Sequence, residues 1–361
     1  MADLESFHAD YGATFAELGG RRVVADYGRP ERTHRAVRNG VGVTERPVDV
    51  VVVTGDDRIE YVDNVVSNRV PRGAGRACYA LLCDPNGRIE TDLYVVNAGE
   101  RLLLFLPAGR GEPTVEGWEA FIQDVAFEVA TERFDVFALC GPQSTPKLAT
   151  VLAGATPPEE RLTFVRGDVA DAGVSVLRTD APTGETGYDV VCAAEHAERV
   201  LDALVNVGSA APPFGRRVWE ALTLEAGTPL FRTELEGRIP NVAGARAAVD
   251  FEKGCFVGQE VVSKVENVGR PSRRLVGLRP ESLPEAGAAV TADGDDVGEA
   301  TRAAGSPIVG GPVAMAYVDF ELDPEAPLAV ATPDGPVEAD RTALPFVDGS
   351  EGSGRLPDYP A

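Results

Sequence analysis

Lysine is nearly missing from this chain: Lys147, Lys253 and Lys264 are the whole set, and arginine supplies the rest of the 34 basic residues. Against 57 Asp and Glu, the formal net charge is −23. Such an acidic surface repels phosphate backbones, so nonspecific nucleic-acid binding is excluded as a function. Arginine without lysine beside heavy acid use reads as adaptation to concentrated salt in the cytoplasm, where screening tolerates self-repulsion. Histidine is equally scarce (His8, His34, His196), and the cysteines at 78, 83, 140, 192 and 255 form no C-x-x-C pair. Neither a disulfide framework nor a locally spaced zinc or iron–sulfur site follows, so no metal is expected. The chain also lacks any uncharged apolar run of the roughly 18 to 20 residues a membrane helix needs. Its opening, MADLESFHAD, has no basic segment followed by an apolar one, so nothing marks it for export. The expectation is a cytoplasmic protein that does not enter a membrane.

At 361 residues the chain exceeds what one hydrophobic core usually supports, and its 44% apolar share is that of a folded protein. Residues 48 to 55, VDVVVVTG, read as a buried strand, after which Asp56 can cap a helix carrying Ile59, Val62, Val65 and Val66. TDLYVV and RLLLFL, at 91 to 96 and 101 to 106, flank a turn and predict a hairpin. Residues 188 to 193 predict a strand. Ala197, Val200, Leu201, Leu204 and Val205 then recur on one helical face until Gly208. Hairpins and helices alternate to about residue 270, which implies α+β units with antiparallel sheets. From 275 onward short apolar stretches between Gly, Pro and Asp turns predict a small all-β barrel. Residues 348 to 361, poor in core-forming side chains, read as a flexible tail.

Three segments carry candidate chemistry. In TGETGYDV, 183 to 190, Gly184 and Gly187 bracket Glu185, so a sharp bend can project one carboxylate. A carboxylate can accept two adjacent N–H groups, such as the amino group and ring N–H of a pterin, although a solvated hairpin turn would show the same residues. In NGRIETDLYVV, 86 to 96, Asp92 interrupts an apolar strand. Facing inward it would need a partner or a task, such as steering a proton or stabilising a cation; facing outward it would be solvated. KGCFVGQE, 253 to 260, sets Cys255 beside Lys253, between Gly254 and Gly258, just before a helix starting at Gln259 and Glu260. A cation and a helix N-terminus both favour a thiolate, while free cysteines are also common as small buried hydrophobes.

The order of these segments, with HRAVRNGVGVTERP at 34 to 47, GPQS at 141 to 144, LEAGTPLF at 224 to 231 and RRLVGL at 273 to 278, resembles the aminomethyltransferase (glycine-cleavage T-protein) superfamily along nearly the whole chain. KGCFVGQE is similar to the cysteine motif of the superfamily's YgfZ branch. Trp219 stands where T-proteins place an arginine, and Thr91 replaces the first of two adjacent aspartates. The resemblance therefore points to the YgfZ branch, and the salt-adapted composition to a haloarchaeal source.

What the resemblance implies is a cloverleaf: residues 1–272 as a folate-binding region of two intertwined α+β lobes, 273–347 as a C-terminal β-barrel, and tetrahydrofolate in the central opening. Glu185 becomes the pterin anchor, Asp92 the acid-base or electrostatic residue, and Cys255 the reactive thiol. Tyr94, Tyr188 and Trp219 are aromatic walls for the flat ring on chemical grounds. The implied function is tetrahydrofolate-dependent support of iron–sulfur cluster assembly or repair in client proteins. The alternative is a folate-dependent aminomethyltransferase that takes a one-carbon unit from a carrier protein. Whether catalysis occurs stays open between the two.

Overall fold

A computed structural model describes residues 4–118 and 124–360. Two antiparallel sheets and a closed barrel form its framework. The first lobe has six strands in the order Leu152–Ala153, Phe164–Val169, Ala172–Arg178, Gly187–Ala193, Phe134–Cys140 and Gly42–Glu45. The second has five, in the order Arg76–Cys83, Ile89–Asn97, Leu102–Pro107, Val48–Thr54 and Ala126–Val129. The α+β class and the barrel agree with the reading of the sequence.

The valine run shows why an internal strand of the second sheet reads as a continuous apolar stretch. Successive side chains on a strand point to opposite faces. Val51 and Val53 pack with Tyr61 and Val62 of helix Arg58–Val65, while Val50 and Val52 join a core shared with the first lobe through Val136, Leu177 and Val191. Both faces are buried, so no alternation appears in the sequence. The residue at the start of that helix is Asp57 rather than Asp56, and its side chain makes no capping bond. The helix Ala197–Asn206 buries the expected Val200, Leu201, Leu204 and Val205 against the first sheet, each contributing about 1.5–3 kcal/mol.

Two crossings join the lobes. Strand Gly42–Glu45 belongs to the first sheet and Val48–Thr54 to the second, with Arg46 and Pro47 between them. The chain crosses back between Ala126–Val129 and Phe134–Cys140. Pro47 lacks a backbone donor, which suits a segment leaving one ladder for another.

The barrel closes in the order Arg273–Pro280, Gly311–Asp319, Asp295–Ser306, Ala289–Ala292, Leu328–Val330 and Val337–Thr342. Beyond it the chain does not trail away as expected. Glu351 and Gly352 donate backbone N–H groups to Gly184 O, Gly354 donates to Asp180 O at 2.8 Å, and the Tyr359 hydroxyl donates to Val242 O at 3.0 Å. The expectation of a loose tail missed this because the segment is held largely through backbone groups and polar side chains, with Tyr359 as its aromatic anchor against Phe320. Among the described residues no helix is long and apolar enough to cross a membrane.

Candidate functional site

The crossing at Arg46 and Pro47 opens a cavity of about 190 Å³ between the lobes. Strand Ile89–Asn97 sends Asp92 and Tyr94 to it from one face, and Tyr79 arrives from the paired strand Arg76–Cys83. Trp219, from helix Arg216–Glu225, and Phe231 line it as well. Arg46 comes from the crossing and Arg355 from the C-terminal segment.

Asp92 is buried at 8% exposure, so the inward reading holds for it. Its Oδ2 accepts a hydrogen bond from the Tyr79 hydroxyl at 2.8 Å and one from Arg355 Nη1 at 3.4 Å. Its Oδ1 has no hydrogen-bond partner. Burial pushes the Asp92 carboxyl above its ordinary value, against the opposing pull of Arg355 and Tyr79. A carboxyl held at one oxygen and free at the other, on the wall of a mostly apolar cavity, can exchange a proton with a bound group or stabilise positive charge there.

Arg355 ties this wall together. Its guanidinium lies 3.7 Å from the Tyr79 ring centroid and 4.9 Å from that of Tyr94, and its Nε donates to Asp180 Oδ2 at 2.7 Å. The Tyr94 hydroxyl donates to Asp180 and accepts from Arg355. Burial alone would raise the Asp180 carboxyl, but Arg355 and the Tyr94 hydroxyl hold it below its ordinary value. Across the cavity, Arg46 stacks 4.7 Å over the Trp219 ring and makes two long contacts of 3.3 Å with the buried Asp189.

The other expected residues lie elsewhere. Glu185 is buried but does not line the cavity: Oε1 accepts from Arg38 Nη1 at 3.1 Å, and Oε2 accepts from the Ser350 backbone at 3.0 Å. Its carboxylate is committed within the protein, so the expected grip on a ring is not what these contacts provide. Tyr188 is a core residue, its hydroxyl 2.7 Å from Thr145 Oγ1 and its ring beneath Arg178.

The KGCFVGQE motif stands outside the cavity. Lys253 points its ammonium at the carbonyls of Asp63, Val66 and Asn68, ending helix Arg58–Val65. Cys255 is exposed, and Gln259 and Glu260 begin helix Gln259–Asn267. Gly258 has φ +82°, and a Cβ there would fall 2.5 Å from Asp84 O, so this glycine lets the motif seat on the Asn86-Gly87 turn. Gly254 also has positive φ, with open space around it. Burial pushes the thiols of Cys78, Cys83, Cys140 and Cys192 up to about 12.

Tyr79, Asp180, Arg46 and Arg355 were not foreseen. Tyr79 could have been found as the strand partner of Tyr94, but nothing in the sequence singles out Arg355.

Two α+β lobes joined by a double crossing, packed against a barrel and enclosing an acid-bearing aromatic cavity, define the class of protein. The GCVT N-terminal domain profile matches residues 4–253, and the profile of the glycine cleavage T-protein C-terminal barrel domain matches 273–348. The chain belongs to the glycine cleavage T-protein family. It is 32% identical over 329 residues to an aminomethyltransferase of Streptomyces coelicolor, covering 88% of each chain. It is also 32% identical over 359 residues to one of Saccharopolyspora erythraea, covering 95% of this chain and 96% of the relative. A crystal structure of the glycine cleavage system aminomethyltransferase T from Bartonella henselae shares the fold, with TM-score 0.86, 24% identity, and coverage of 97% and 98%.

These matches overturn the expectation of a YgfZ-type protein serving iron–sulfur clients, since the relatives are aminomethyltransferases. The cysteine motif misled because its residues cap a helix and seat a turn, work that needs no reactive thiol.

Proposed function

We propose that the chain is a folate-dependent aminomethyltransferase, which takes an aminomethyl group from a carrier protein, passes the one-carbon unit to tetrahydrofolate and releases ammonia. The observation that carries this reading is Asp92, a buried residue of the cavity wall whose Oδ1 has no partner and which shares that wall with Tyr79, Tyr94, Trp219 and Phe231. An unpaired buried carboxyl oxygen is costly unless a ligand donates to it. Aromatic walls suit a flat bicyclic ring, so these residues fit a reduced pterin. Tetrahydrofolate, when bound, supplies the amines that accept the one-carbon unit.

The chain's own groups do the rest. Tyr79 and Arg355 fix Asp92 through one oxygen, so the other stays oriented to hold a proton or to face a developing cation. Tyr94 and Trp219 line the same cavity. Arg46, stacked on Trp219, returns a guanidinium to the wall where the family's arginine is replaced. Separately, the acidic, lysine-poor composition supports a salt-rich cytoplasm as the protein's setting.

The deciding experiment adds aminomethylated lipoyl carrier and tetrahydrofolate to the purified protein and measures ammonia and methylene-tetrahydrofolate. Stoichiometric release of both is expected. No release from the wild type, with tetrahydrofolate failing to bind, overturns the proposal.

A further inference from the structure

One wall of the cavity is a π-helical turn, Phe231–Leu235, whose Leu235 and Glu236 amides reach back five residues to Leu230 O and Phe231 O at 3.2 and 2.8 Å. Such turns are rare and recur at functional sites. Phe231, Arg232 and Thr233 line the cavity, while the next residue, Glu234, points away and is fully buried. Both of its carboxylate oxygens are engaged. Oε2 accepts from the Leu230 backbone at 2.8 Å and from Thr233 Oγ1 at 2.6 Å, and Arg302 Nη2 lies 3.4 Å from it. Oε1 accepts from Thr301 Oγ1 at 2.8 Å.

Thr301 and Arg302 belong to the barrel, and they are neighbours on one strand. Regular alternation would send them to opposite faces. The ladder between Asp295–Ser306 and Gly311–Asp319 slips by one residue at Thr301, pairing Ala300 with Ala316 and Arg302 with Met315. This bulge leaves both side chains buried and within reach of Glu234. Arg302 also donates to Thr228 O at 2.8 Å and Thr223 Oγ1 at 2.8 Å, and the Tyr317 hydroxyl donates to Glu234 O at 2.8 Å.

From this geometry we infer that Glu234 is a positioning residue: clamped by the Thr301–Arg302 bulge of the barrel, it holds the π-turn so that Phe231 and Arg232 form the ligand-binding wall. Arg232 makes no ion pair among the described residues and is exposed at the cavity rim, its Nη2 donating to Ala108 O at 2.6 Å. Its guanidinium therefore keeps donors for an anionic ligand group. The inference rests on the tetrahydrofolate reading for its ligand, not for its geometry.

The test removes one hydroxyl. Thr301→Val keeps the side-chain shape and should weaken tetrahydrofolate binding about tenfold, measured by calorimetry, while Thr301→Ser restores it. In an Arg232→Ala background the same Thr301→Val change should have little further effect, since coupled residues are non-additive. In a Trp118→Phe background, acrylamide should quench Trp219 fluorescence more strongly once Thr301→Val loosens the wall. Unchanged affinity in Thr301→Val, or a loss that simply adds to that of Arg232→Ala, overturns the inference. If the wild type binds no tetrahydrofolate, the proposed function fails alone, and the quenching decides: no rise on Thr301→Val overturns the clamp.

Discussion

Arg355 Nε donates to Asp180 Oδ2 at 2.7 Å, linking the C-terminal segment to the first lobe at the back of the cavity. Both side chains are at least nine-tenths buried, so each depends on the other for its charge. Glu351 adds a second tie a few residues earlier, through Arg178 and Thr186.

Replacing Arg355 with Met should therefore destabilise the protein by about 3–5 kcal/mol, the usual result of leaving one partner of a buried pair. The pH dependence should also change sign. In the wild type the Asp180 carboxyl lies below its ordinary value of 3.8, so its contribution is present above that pH and is lost as pH falls through the lowered folded value. Without Arg355, burial dominates and the ionised carboxylate becomes a burden above 3.8. Thermal melts across acid pH should show stability rising with pH in the wild type and falling with pH in the variant, so far as this group contributes. Matching slopes would refute the pairing.

Asp92→Asn should leave tetrahydrofolate affinity within a few-fold and lower turnover by about 10²–10⁴. Since burial raises the wild-type carboxyl, its ionised form gains population only above the ordinary 3.8. If that form acts, the rate should rise with pH along an acid limb displaced upward from 3.8, and the limb should vanish in the Asn variant. A limb that survives in Asp92→Asn would assign the proton to another group.

Glu185→Gln should act chiefly on stability. Its oxygens accept from Arg38 and the Ser350 amide, so the change should lower the melting temperature, at a cost of about 1–3 kcal/mol, and raise hydrogen exchange at Ser350. Tetrahydrofolate affinity should stay within a few-fold. A collapse in affinity with an unchanged melting temperature would show instead that this carboxylate grips the pterin.

Cys255→Ser should change neither melting temperature nor tetrahydrofolate affinity, since the thiol is exposed and outside the cavity wall. Lys253→Met should differ sharply, because three carbonyls at the end of a helix lose their donor. The pair separates the motif's structural work from its thiol. Equal effects of the two changes would contradict this division.

What the sequence by itself determined is local and periodic. The valine run, the paired hairpin strands, the helix at 197–206 and the glycine turns at 184 and 258 follow from propensity, spacing and the need for positive φ, all read within a few residues. Asp92 stood out because a lone carboxylate in an apolar strand demands an explanation wherever the strand goes. Tertiary structure alone decided which motif served the cavity. Glu185 and Lys253 look functional in sequence, yet their charges are spent on Arg38, Ser350 and a helix end, while Arg355 sits in a polar segment without any pattern and completes the site. Ion pairs join residues 175 positions apart as readily as neighbours. Their partners are set by how the lobes, barrel and C-terminal segment pack, and no period or composition records that.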